Sequence, residues 1–81
     1  MDSTTVFTDY LKTLADYSEK VDNGEVTHTD FIEFQKLEAR IIKAYQTGYF
    51  KHPEYSALTT IYSYIKDGFR IVLQLDRPGT I

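Results

Sequence analysis

Apolar residues recur at steps of three and four along most of the chain, the spacing that gathers side chains onto one face of a helix. Val6, Phe7, Tyr10, Leu11, Leu14, Tyr17 and Val21 form the first such stripe and predict a helix over about 5–22. Thr4 or Thr5 can cap its start, and Asp9 with Lys12 and Asp16 with Lys20 have the spacing of favourable pairs on its outer side. Asn23-Gly24 ends it, because both residues tolerate the left-handed backbone of a helix stop. A second stripe runs Phe31, Phe34, Leu37 or Glu38, Ile41, Ile42 and Tyr45, widened by Ile32, Ala39 and Ala44, and predicts a helix over about 28–47. Thr27 stands at its cap, Asp30 is placed to reach back to the Thr27 amide, and Val26 can staple onto Phe31. Gly48 closes it.

His52-Pro53 opens a third helix over about 53–76, with proline where its missing N–H is harmless and Glu54 beside the positive helix end. This segment carries two apolar seams. One is Tyr55, Leu58, Tyr62, Ile65, Phe69 and Val72; the other is Ala57, Ile61, Tyr64, Gly68, Ile71 and Leu75. Polar residues keep to a narrow strip of Thr59, Ser63, Lys66, Arg70 and Gln74. A surface helix of a small bundle needs one apolar stripe, so two predict a central helix or one that also meets another chain. Residues 69–76 also support a strand, because apolar positions 69, 71, 73 and 75 alternate against polar 70, 74 and 76. Such a strand would need a partner from elsewhere to satisfy its edges. The fold class expected is all-α, a three-helix bundle forming a single domain over 1–81.

Composition narrows the function classes. At 81 residues the chain buries roughly 60% of its unfolded surface, so a partner subunit would add stability. Hydrophobic residues at 42% place it among folded domains and outside the disordered class. With no cysteine, disulfides and thiolate chemistry are excluded. The start, Met1 to Thr5, has no basic region leading into an apolar one, and no apolar run approaches the ~20 residues needed to span a bilayer. A cytoplasmic protein is the expectation. Charge is lopsided: residues 1–40 hold nine acids and four bases, whereas residues 41–81 hold three acids and five bases. An acidic half opposes nucleic acid, whose phosphates need clustered Lys and Arg, and favours a basic protein surface.

Glu19 to Asp30, followed by Phe31-Ile32-Glu33-Phe34, resembles an EF-hand loop and its exiting helix. Gly24 falls at the glycine turn, Val26 at the apolar position that pairs loops, and Asp30 at the closing carboxylate. The resemblance implies calcium coordination by six to eight oxygens. However, Val21 offers no side-chain oxygen at the second ligand place, Asp30 replaces a bidentate glutamate, and no second loop exists. The prediction is a capped turn, with a degenerate EF-hand-like module as the alternative.

His28 and His52 belong to no paired metal-ligand spacing, no glycine elbow presents a serine, and a domain this small leaves little room for a shaped pocket. The chain is read as no enzyme, with no cofactor or metal implied. Of seven tyrosines, Tyr10, Tyr17, Tyr45, Tyr55 and Tyr62 lie on core stripes, whereas Tyr49 and Tyr64 do not. Tyrosine is enriched at binding hot spots. The expected contact surface is therefore the second seam of the third helix, with Tyr64, Ile71, Leu75, Ala57 and Gly68 as its residues. The function expected is a small acidic protein-binding module, a regulator or inhibitor that occludes a larger protein and self-associates as a homodimer or higher oligomer. In size and charge balance it resembles small acidic inhibitors encoded by bacteria and their phages. A further alternative is an oligomer that sequesters a small anionic ligand such as a nucleotide.

Overall fold

The computed structural model describes residues 3–74, and these form three helices and no strand. Helix α1 spans Ser3–Asp22, α2 His28–Gln46 and α3 His52–Leu73. Local chemistry sets most of these limits. At the end of α1, Gly24 takes φ +69°, the Glu25 N–H donates to Lys20 O at 2.9 Å and the Gly24 N–H to Val21 O at 3.0 Å. That is a Schellman stop, which satisfies carbonyls the helix would otherwise leave unpaired. The α2 end repeats it, with Gly48 at φ +85°, the Tyr49 N–H on Ala44 O and the Gly48 N–H on Tyr45 O.

Helix α2 starts in a full capping box. The Asp30 N–H donates to Thr27 Oγ1 at 3.1 Å, and the Thr27 N–H donates to Asp30 Oδ2 at 3.0 Å. Val26 is buried and Phe31 packs on the same cluster, as expected for the staple. Helix α3 has proline in its first turn, and the Lys51 N–H donates to Glu54 Oε1 at 2.9 Å. The reciprocal arm is missing there, because a lysine ammonium has no lone pair to offer.

Several local expectations are corrected. Helix α1 begins at Ser3, so Thr4 and Thr5 lie within its first turn and neither is its cap. The Asp9–Lys12 and Asp16–Lys20 pairs do not close; Lys20 instead reaches Asp30 of α2 at 3.8 Å. The strand reading fails over 69–73, which continue α3 as helix until Gln74 adopts a left-handed cap at φ +57°. The helix therefore ends about three residues earlier than position 76. Ile32 and Ala39 face outward and only Ala44 widens the α2 stripe; Ile42, expected on the stripe, is exposed, and at the Leu37/Glu38 position it is Leu37 that turns inward.

Helix α3 is the central element, packed along both α1 and α2, while α1 and α2 scarcely meet except through side chains such as Tyr17 on Phe34. The core is Leu14, Val26, Phe34, Leu37, Ile41, Ala44, Phe50, Leu58, Tyr62, Ile65 and Phe69. Phe34 is its hub: it stacks on Tyr62 at 4.2 Å between centroids and meets Phe69 at 4.8 Å and Tyr17 at 5.3 Å. A second stack, Tyr45 on Tyr55 at 4.2 Å, closes the other end beside Phe50. Phe50 lies in the α2–α3 connection, outside any helical stripe, and is core all the same. Among the described residues no helix is long and apolar enough to cross a membrane.

Candidate functional site

The two seams of α3 meet different surroundings. Leu58, Tyr62, Ile65 and Phe69 are buried between α1 and α2. On the second seam Ala57 is exposed, Ile61 is 36% exposed, Tyr64 74% and Ile71 76%. The spacing of Ala57, Ile61, Tyr64, Gly68 and Ile71 draws one stripe along α3, about 21 Å from end to end. Leu75, which would extend it, lies outside the described residues.

Gly68 differs from its neighbours on the stripe. A Cβ built there would lie 2.5 Å from Val21 Cγ1, so its missing side chain is what lets α1 come close to α3. The same approach shapes a groove of about 230 Å³ between the end of α1 and α3. Val21 and Asp22 supply one wall; Tyr64, Asp67, Gly68 and Ile71 supply the other. The structure thus gathers Tyr64, Gly68 and Ile71 onto one concave site and leaves Ala57 more than a turn away along α3. Gly68 is where the two helices come closest, and Tyr64 and Ile71 stand exposed on either side of it along α3.

Val21 and Asp22 were not read as site residues in the sequence. Val21 sits on the α1 core stripe and Asp22 at a helix end, so neither advertises a groove. Gly68 carried the one available signal, since a glycine inside a two-seamed helix marks a close backbone approach. The rim is acidic. Asp22 makes no ion pair among the described residues, and Asp67 has only an exposed contact with Arg70 at 3.8 Å. Exposed pairs of that kind contribute about 0–1 kcal/mol, so both carboxylates keep their field toward solvent.

The remaining candidate chemistry is dispersed. His28 and His52 are exposed at the starts of α2 and α3, and His52 lies edge-on to Tyr45 at 6.3 Å. Among the described residues no three His, Asp or Glu side chains converge as a metal site. In the stretch that resembles a calcium loop, Glu19 and Val21 lie in the last turns of α1. The Asp30 carboxylate there caps α2 with one oxygen and meets Lys20 with the other. Tyr62 is buried with its ring stacked on Phe34. Its oxygen is buried with no hydrogen-bond partner among the described residues, and burial together with the nearby Glu38 charge pushes its phenol pKa up.

The chain matches no protein-family model, no curated protein and no solved structure.

Proposed function

We propose that this chain is a small protein-binding module, a regulator or inhibitor that acts by covering part of a larger protein. Its docking surface is the outer seam of α3 together with the α1–α3 groove. The observation that carries this reading is the exposure of Tyr64 and Ile71. These two large apolar side chains stand about 10 Å apart along one helix, on either side of Gly68. Scattered surface apolar residues need no account, whereas an apolar stripe beside a groove with a polar rim fits a partner site. The occupant that suits it is a basic protein surface offering one apolar side chain. That side chain enters the groove, and flanking Lys or Arg meets Asp22 and Asp67. The acidic excess of residues 1–40, which include all of α1, acts in the same direction by steering encounter.

The test compares proteins captured by the immobilised chain with those captured by its Ile71→Glu and Tyr64→Ala variants and by Glu33→Gln, placed on α2 as a control. A basic protein held by the parent and the control, lost from both seam variants and released between 0.05 and 0.5 M salt, is the expected result. Capture that ignores the seam substitutions would remove this face from the function. A concentration-dependent dimer in light scattering that Ile71→Glu abolishes would assign the face to a second copy of the chain and overturn the basic partner.

A further inference from the structure

Because α1 and α2 each pack on α3 and scarcely on each other, a second groove opens between them at the opposite end of α1 from the first. Two overlapping hollows of about 400 and 520 Å³ share Tyr10, Arg40, Ala44 and Tyr49; Asp9 joins one and Lys43 the other. Both are shallow and open to solvent, so an occupant would lie along the groove with one side in water.

Its chemistry is unlike that of the α1–α3 groove. Arg40 and Lys43 lie one turn apart on the same face of α2, and neither has an ion-pair partner among the described residues, although the chain carries a net charge of −3. Lys43, in the last turn of α2, suits the negative end of the helix dipole; Arg40, a turn earlier, has no such account. Asp9 stands on the opposite wall and does not close onto Arg40, so the groove holds a cation pair facing an open carboxylate.

Two rings complete it. Tyr49 is 47% exposed yet is not on a loose loop, because its N–H is bonded to Ala44 O at 2.9 Å in the stop of α2. Tyr10 is half-buried and set edge-on against Phe50, at 6.2 Å and 88°.

We propose that this groove binds a nucleoside phosphate. Arg40 and Lys43 take the phosphate oxygens, which a guanidinium can hold with two parallel N–H donors. The exposed face of Tyr49 stacks on the base, an interaction available to any base because each has a π-face. Asp9 accepts from a ribose hydroxyl or an exocyclic amine. An extended nucleic acid is a poorer occupant, since two cations beside an acidic helix cannot follow a phosphate backbone.

Calorimetric titration with AMP, GMP, CMP and UMP, against inorganic phosphate as the ring-free control, tests the proposal. At least one nucleotide should bind more tightly than phosphate by tenfold or more. Arg40→Gln and Tyr49→Ala should each weaken it about tenfold, with far-UV circular dichroism and the thermal midpoint unchanged because both side chains are at the surface. Tyr64→Ala, in the other groove, should leave the titration as it is. If no nucleotide exceeds phosphate, or if both variants bind as the parent does, the proposal is wrong.

Discussion

The two apolar seams of α3 are nearly equal as sequence and opposite as structure. Leu58, Tyr62, Ile65 and Phe69 sit between α1 and α2 and are almost wholly removed from water. Tyr64 and Ile71, one step round the same helix, remain largely in it, and Ile61 is about one third exposed. The lesson is geometric. Two helices packed on a third cover only part of its circumference, and a seam that neither reaches stays exposed however apolar it is. Gly68 marks the boundary between the two regimes, where the second seam dips under Val21 before rising again at Ile71.

Substitutions put that contrast to the test. The largest effect belongs to the inner seam: Phe69→Ala removes a ring in contact with Phe34, Phe31 and Tyr17 and should lower unfolding free energy by about 3–5 kcal/mol in urea titration. A loss below about 1 kcal/mol would mean that the two seams are not energetically distinct. At the boundary, Gly68→Leu should cost about 1–3 kcal/mol by driving a side chain into Val21. Pairing it with Val21→Ala should recover part of that loss, because the double variant makes room where the single one cannot. Strict additivity of the two changes in a thermodynamic cycle would show that they do not meet.

Tyr62 offers a smaller effect of the opposite sign. Its buried hydroxyl has no hydrogen-bond partner among the described residues, so Tyr62→Phe should raise stability by about 1 kcal/mol. The pH dependence has a defined direction. The folded state raises the Tyr62 phenol pKa, through burial and then Glu38, and so holds its proton more tightly than the unfolded chain does. Stability is therefore level with respect to this group below the ordinary phenol value of about 10 and falls as pH rises beyond it. Thermal melts between pH 8 and 11 should show a shallower alkaline loss in Tyr62→Phe. Part of the loss should persist, because burial, Glu33 and Asp30 also raise the Tyr17 phenol pKa. Smallest of all, Ile71→Glu should change the urea midpoint by no more than the equivalent of about 0.5 kcal/mol. A cooperative loss of helicity in that variant would place Ile71 in the core and close the case for an outer docking face.

Much of the fold was legible because it rests on short-range chemistry. Thr27 with Asp30, Asn23-Gly24, Gly48 and Pro53 each act within five residues, and each limits a helix where the residue types require it. The strand reading of 69–76 misled for a related reason. Phe69, Ile71 and Leu73 alternate at period two, but Phe69 and Val72 also continue a helical seam begun at Tyr55, and packing against α1 and α2 favours the longer pattern. Phe50 escaped any stripe because it is buried by the turn that carries it. The α1–α3 groove was half legible: Tyr64, Gly68 and Ile71 follow from the α3 pattern, while Val21 and Asp22 belong to a helix more than forty residues away. The cationic groove was not legible. Tyr49 stood out only as a tyrosine off the core stripes, and Arg40 and Lys43 only as ordinary helix charges.

Residue types and periodicity alone were enough for three helices, the capping box of α2, the proline start of α3, the glycine stops of α1 and α2, and more apolar surface on α3 than one face can use. Those properties depend on backbone preference and on periodicity, and both are local. Which seam is buried, how closely α1 approaches at Gly68, and which charges face each other across a groove follow from helix packing instead. Each depends on the angle and distance between helices, and these are fixed by side chains from all three helices packing together around Phe34.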